Sequence, residues 1–157
     1  MESNPAASSG EAVATDTTPE WVVFSCDDQH FGIPLLLTRE VVLPQALTRL
    51  PGCGAEVGGL MGLRGRVITV FDLGVVLGRG RVLQRPDHRI LVVDHNERVA
   101  GLAVDSVAEI ARNEAALLSA PPESPTESTR DVVGVGMLNG KPFLALDPNS
   151  ILSRLLV

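Results

Sequence analysis

An internal repeat constrains the fold of this 157-residue sequence more than any other feature. When the sequence is shifted by 69 residues, the segment 22–41 falls on 91–110, and a shift of 75 residues places 57–77 on 132–152. The two shifts differ by six residues because the connecting segment in the second half is longer than the one in the first. The chain therefore consists of two similar halves.

Short apolar runs broken by turn residues fill both halves. They include WVVFS, RVITVF, RILVVD and KPFLAL, whose length and Val/Ile content are typical of β-strands. We interpret each half as a hairpin, a linking segment, a second hairpin and an aspartate that ends the last strand. Because a five-stranded unit of about 60 residues buries little surface alone, we predict an all-β fold of two small barrels that share a central apolar layer.

Identical residues recur at matched positions of the two halves, and we interpret them as structural. They are Gly32 and Gly101, Glu40 and Glu109, Gly65 and Gly140, and Asp72 and Asp147. Asp147 is followed by Pro148 and by an apolar stripe, which predicts an N-cap and a short C-terminal helix. Asp72 is predicted to open a shorter turn that Gly78 closes.

The composition limits the cellular context. Residues 1–19 are small, polar and turn-forming and contain three acids without a base, which predicts a flexible tail before a single domain at 20–157. The two cysteines form no CxxC pair and the N-terminus does not resemble a secretory signal, so we expect a cytoplasmic protein. No window approaches the ~18 apolar residues that a membrane-spanning helix requires, so we expect no direct membrane insertion.

The sequence contains no set of residues with catalytic or metal-binding spacing. The three histidines, His30, His88 and His95, show no HxxxH or HExxH pattern. Cys53 has no local partner that would activate its thiol, and we interpret it as a small turn residue. The segment 134–141 resembles a nucleotide-binding loop, but Val135 and Pro142 stand where a P-loop requires Gly and Ser or Thr. We therefore predict no enzymatic activity, no cofactor and no metal site.

A basic cluster leaves three interpretations open. Its members are Arg64, Arg66, Arg79, Arg81, Arg85 and Arg89. The first interpretation is a solvated rim, and the second is a protein-binding surface, because arginine pairs bidentately with carboxylates. The alternative function is that of a small-barrel nucleic-acid-binding protein that uses this cluster. The net charge of −6 and the 3% aromatic content argue against nucleic acid as a partner.

The segments FGIPLLLTREVV, LTRLPG, LRGRVITVFDL and RILVVDHNERVAGLAVDSVAEI resemble, in their order and spacing, the CheW family of chemotaxis coupling proteins, over about residues 21–156. The resemblance implies one domain of two interlocked SH3-like five-stranded β-barrels packed around a shared hydrophobic core. It also implies a non-enzymatic scaffold, or adaptor, that couples chemoreceptors (methyl-accepting chemotaxis proteins) to a CheA-type histidine kinase. The implied partners are the chemoreceptor cytoplasmic tip and the kinase regulatory domain, and the protein would be recruited to membrane receptor arrays. A regulatory domain detached from a larger kinase is a weaker interpretation.

Three candidate partner-binding residues follow from the resemblance. Arg64 matches the arginine of the family's LRG motif, Glu40 matches the glutamate of its V-x-E segment, and Thr38 stands where that segment usually has Val. A structural role stays open for two of them, since Arg64 could pin its turn and Glu40 has the repeat mate Glu109. The sequence departs from the family pattern at Gly62, Thr69 and Pro148.

Overall fold

The computed structural model describes residues 19–112 and 130–156. The predicted tail at 1–19 lies outside the described residues, apart from Pro19. The strands are β1 (Glu20–Cys26), β2 (Gln29–Pro34), β3 (Thr38–Val42), β4 (Val57–Leu63), β5 (Arg66–Asp72), β6 (Arg89–His95), β7 (Arg98–Val104), β8 (Ser106–Arg112), β9 (Val132–Leu138) and β10 (Lys141–Leu146). The helices are a 3-10 turn at Leu35–Leu37, α1 (Leu73–Val76) and α2 (Pro148–Leu155). The predicted all-β class and the short C-terminal helix are confirmed.

The strands form two five-stranded sheets that exchange strands between the halves of the repeat. Sheet A has the order β8-β1-β2-β10-β9, and sheet B has the order β3-β6-β7-β5-β4. The first hairpin of each half thus joins the last hairpin of the other half, through the parallel pairs β2–β10 and β5–β7. Neither sheet is built from one contiguous half, which differs from the arrangement that the repeat alone predicts and makes the two units interlocked.

Four two-residue turns explain why the hairpins form where they do. Both residues of each turn have a positive φ, the backbone of a type I′ turn, which matches the twist of the flanking strands. The turns are Asp27 and Asp28, Arg64 and Gly65, Asn96 and Glu97, and Asn139 and Gly140. Gly65 has φ +78°, so its lack of a Cβ removes the steric cost of this conformation.

The exchange of hairpins gives both sheets one core. Phe24 in β1 and its repeat mate Val93 in β6 are fully buried in the same cluster, which contains residues of both sheets. Val23, on the opposite face of β1, packs with Phe143 in a smaller cluster within sheet A. The first hairpin therefore buries apolar residues on both faces, each side chain contributing roughly 1.5–3 kcal/mol.

Gly32 and Gly101 allow close approach at equivalent places in the two sheets. A Cβ atom on Gly32 would lie 2.6 Å from a ring carbon of Phe143, and one on Gly101 would lie 2.9 Å from Cγ2 of Ile90. Each glycine lies where its strand pairs in parallel with a neighbouring strand. Gly32 lies opposite β10 in sheet A, and Gly101 lies opposite β5 in sheet B. A larger residue at either position would have to displace the core side chain that covers it.

The two repeated aspartates cap the two helices, but they make different numbers of contacts. The buried carboxylate of Asp72 accepts hydrogen bonds from the backbone N–H groups of Val75, Val82 and Leu83, at 3.1–3.2 Å. Asp147 accepts one, from Asn149 at 2.9 Å. Asp72 thus caps α1 and also fixes the start of the long connection to β6.

A buried ion pair attaches helix α2 to the chain before β9. Asp131 is 3% exposed and receives two hydrogen bonds from the guanidinium of Arg154, each of 2.9 Å, and one from Ser150 at 2.7 Å. Burial alone would raise the pKa of Asp131, but these hydrogen bonds outweigh it and hold the pKa below its usual value.

Candidate partner-binding surfaces

A side-chain pair crosses the open side of sheet B, and the chain after β3 adds one backbone bridge to β4, between Thr48 and Leu60. The end strands of this sheet are β3 and β4, and no strand pairing joins them within the described residues. Arg64 in the β4–β5 turn reaches across to Glu40 on β3, with Nε to Oε2 and Nη2 to Oε1 distances of 3.0 Å each. The bidentate geometry holds the turn against the opposite end strand.

The Arg64–Glu40 pair is accessible to a partner. The arginine side chain is 74% exposed and the glutamate side chain 28% exposed. The hydrogen bond from Arg64 lowers the pKa of Glu40, and the carboxylate in turn raises the pKa of Arg64. The carboxylate therefore stays ionised and paired at neutral pH, while most of the guanidinium faces solvent.

Thr38, the third candidate residue, makes a different contact. Its hydroxyl donates a hydrogen bond to the backbone carbonyl of Pro34 at 3.2 Å, and its backbone pairs with Val93. The structure therefore brings Arg64 and Glu40 together and gives Thr38 a local role at the start of β3.

The same contact recurs at the open side of sheet A. Asn139, in the β9–β10 turn, donates a hydrogen bond of 2.9 Å to Glu109 on β8. The repeat shifts map Glu40 on Glu109 and Arg64 on Asn139. The sequence shows both repeat shifts. It does not show that the turn residue contacts the glutamate in each half, because that contact depends on which strands lie at the edges of each sheet.

Two clefts beside these contacts are also repeat equivalents. Seam B is the cleft of about 320 Å³ lined by Arg39, Glu40, Leu63, Arg64, Arg66, Ile68, Val92 and Val99. Seam A is the cleft of about 190 Å³ lined by Val23, His30, Ala108, Leu138, Asn139, Lys141 and Phe143. Every residue of seam A lies at the repeat position of a residue of seam B. The two surfaces thus lie at equivalent positions but differ in size and charge, with three arginines and one glutamate at seam B and a single lysine at seam A.

Exposed aliphatic side chains lie on the strands that form the seams. Val41, next to Glu40 on β3, is 43% exposed, and Val67, next to Arg66 on β5, is 74% exposed. Ile110, the repeat mate of Val41, is 51% exposed on β8. None of the three side chains lines a seam, because successive side chains of a strand point to opposite faces. They add exposed apolar surface on the strands that carry the seams.

The structure disperses the predicted basic cluster. Arg85 forms ion pairs with Asp105 and, at 3.7 Å, with Asp27, and Arg79 donates to the backbone carbonyl of Asp27. Arg89 donates to backbone carbonyls beside it. Three of the six arginines therefore stabilise the connection before β6, and the cluster does not form one continuous basic face.

The two cysteines lie in different environments. Cys26 is buried, and burial is the main cause that raises the pKa of its thiol to about 12, so the thiol stays protonated at neutral pH. Cys53 is exposed on the connection before β4. Within residues 19–112 and 130–156, no group of three or more His, Cys, Asp or Glu side chains could hold a metal ion.

None of the helices in the described part of the chain is long and apolar enough to cross a membrane.

Comparisons with known proteins agree with this fold. The family model described as CheW-like domain matches residues 20–156. Chemotaxis protein CheW of Helicobacter pylori is 30% identical over 135 residues, which cover 86% of this chain and 82% of that protein. Protein FrzA of Myxococcus xanthus is 30% identical over 131 residues, 82% of each chain. The crystal structure of the scaffolding protein TtCheW from Thermoanaerobacter tengcongensis matches with a TM-score of 0.76 and 29% identity, over 83% of this chain and 90% of that one. The chain belongs to the CheW family.

Proposed function

We propose that this protein is a non-enzymatic adaptor that couples chemoreceptors to a CheA-type histidine kinase in a chemosensory signalling array. The observation that carries the proposal is the pair of repeat-equivalent seams, which lie at the open sides of two sheets that share one core. An adaptor has to hold two partners in a fixed relation, and two exposed surfaces on one interlocked core meet that need. Membership of the CheW family, with relatives named for chemotaxis and scaffolding, supports the same function.

The two seams suit partners of different chemistry. Seam B presents the partly exposed guanidinium of Arg64 and that of Arg66, which forms no ion pair with a residue that the structure describes. It therefore favours a partner with carboxylates. Arg39 contributes less, because it already pairs with Asp94 at 3.3 Å. Seam A, where Lys141 is the one strongly basic residue among the lining side chains, favours a less charged partner surface. We propose Arg64, Glu40 and the neighbouring strand residue Thr38 as partner-binding residues, and the cytoplasmic face of a receptor array as the location.

Binding to the kinase tests the proposal directly. We expect the full chain to bind the isolated regulatory domain of the cognate CheA-type kinase with a dissociation constant below about 100 μM in biolayer interferometry. Absence of binding at that concentration would contradict the adaptor function. Salt-dependent retention on DNA, with no binding to the kinase domain, would instead support the nucleic-acid alternative.

Removal of the Arg64 side chain separates partner binding from a structural role. We expect Arg64→Ala to weaken assembly with the kinase or the receptor tip while the melting temperature changes little, because an exposed ion pair adds little to stability. Asn139→Ala, at the repeat position, is the matched control and tests seam A alone.

A charge exchange completes this test. The double variant Arg64→Glu with Glu40→Arg keeps an ion pair across sheet B but reverses both charges. If Arg64 contacts the partner, the double variant binds as weakly as Arg64→Ala. Restored binding, or a large loss of thermal stability in Arg64→Ala, would mean that the pair only pins the turn.

A further inference from the structure

A third cleft lies apart from both seams. It has a volume of about 610 Å³ and is formed by the connections 45–58 and 81–88, and none of its lining residues lines seam A or seam B. Its size is within the range of about 300–1,000 Å³ that is typical of small-molecule sites. The adaptor function proposed above gives this cleft no task.

Two arginines make the cleft basic. Arg49 and Arg81 line it, and both are exposed. No Asp or Glu is among the lining residues, and the carboxylate of Glu56 lies beside the lining residue Gly54. Neither guanidinium forms an ion pair with any residue that the structure describes. Two unpaired guanidinium groups at one cleft favour an anion, above all one with several oxygens that can receive paired N–H groups.

A buried histidine in the wall has one ring nitrogen without a partner. His88 is 8% exposed, and its Nδ1 lies 2.7 Å from the backbone oxygen of Arg85. A carbonyl oxygen can only accept, so Nδ1 donates this hydrogen bond. The Nε2 atom is buried and has no hydrogen-bond partner among the described residues. Buried polar atoms are rarely left in this state, so Nε2 calls for a further polar group.

The rest of the wall is partly apolar. Leu47, Leu83 and Val57 line the cleft and are half-buried, and a Cβ atom on Gly58 would lie 2.3 Å from Leu83. Gly58 therefore lets these side chains lie close above the sheet, where they form a surface that an apolar group can contact.

We propose that this cleft binds an organic phosphate monoester, whose phosphoryl group is held by Arg49 and Arg81 and whose apolar body contacts the leucines. The phosphoryl group also suits the unpartnered nitrogen of His88. A phosphate monoester has a second pKa of about 6, so near neutral pH its dianion predominates and a minority monoanion carries one P–OH donor. It can therefore pair with Nε2 in either protonation state of the ring, whereas a carboxylate can only accept. Because Nε2 is screened from solvent in this structure, this contact requires an exposed side chain of the wall to move.

The test uses the full chain, labelled with ¹⁵N, and phenyl phosphate as the probe in an NMR titration. We expect shifts in the resonances of the two connections and of the His88 ring, and an affinity about tenfold higher than for inorganic phosphate or benzoate. Inorganic phosphate lacks the apolar body, and benzoate replaces the phosphoryl group by a carboxylate. Equal binding of inorganic phosphate would overturn the role of the leucines, and equal binding of benzoate would overturn the phosphoryl assignment.

Charge-matched variants show whether binding takes place in this cleft. We expect Arg49→Gln and Arg81→Gln each to lower the affinity for phenyl phosphate by about tenfold. Arg66→Gln, which removes an unpaired arginine at seam B, should leave the affinity unchanged. No saturable shift up to about 10 mM, or an equal loss in Arg66→Gln, would overturn the proposal. Kinase binding should persist in the Arg49 and Arg81 variants, so the two functions are separable.

Discussion

Residues 20–80 expressed alone are expected to show no cooperative thermal unfolding, whereas 20–156 should melt in one sharp transition. The isolated half would contain β1 to β5 without the strands that pair with them in both sheets. It would expose Phe24 and the other side chains of β1 that pack against the second half. Circular dichroism during heating measures the difference.

Complementation provides the control for this experiment. Because the hairpins are exchanged, the fragments 20–80 and 81–156 should restore a cooperative transition when they are refolded together. Two fragments that fold independently would each melt sharply and would gain nothing on mixing. A sharp transition from 20–80 alone would therefore contradict the interlocked fold.

Asp72→Ala is expected to destabilise the protein by about 3 kcal/mol or more. The substitution removes the acceptor of three backbone N–H groups, those of Val75, Val82 and Leu83, and that of Val82 is buried. Each donor left without a partner in a buried place costs about 1–3 kcal/mol. Chemical denaturation gives the change in the free energy of unfolding.

The repeat supplies a matched control for Asp72. Asp147→Ala removes an N-cap that receives one hydrogen bond, from Asn149, and should cost only about 1 kcal/mol. If the two variants were equally destabilised, the contacts of Asp72 with the connection before β6 would have no energetic importance. Asp72→Asn keeps one acceptor oxygen and should lie between the two alanine variants.

Local patterns predicted the strands of the hairpins, because they depend on neighbours in the sequence. Strands β3 and β8 lie where only a linking segment was expected. Val/Ile-rich runs, Asn139 with Gly140, and Asp147 with Pro148 are short-range signals of strand, turn and cap. The exchange of hairpins has no such signal. Strand β1 pairs with β2 in either arrangement, and only the burial of both its faces requires the second half of the chain.

The contact between Arg64 and Glu40 was not predicted for the same reason. Each residue was identified as a candidate through the family resemblance, but their contact depends on which strands end sheet B. The basic cluster shows the same limit, since Arg85 binds Asp27 and Asp105, both distant in sequence. A repeat alignment that pairs Asn139 with Arg64 does indicate that the two turns make equivalent contacts.

Co-sedimentation measures whether this one chain joins a receptor to a kinase. Membrane vesicles that carry the cognate chemoreceptor are incubated with the CheA-type kinase, with and without this protein, and the kinase in the pellet is measured. We expect the kinase to sediment with the vesicles when the wild-type chain is present. Much less kinase should sediment when the chain is absent or carries Arg64→Ala. Equal amounts of kinase in the pellet with and without the chain would contradict the adaptor function.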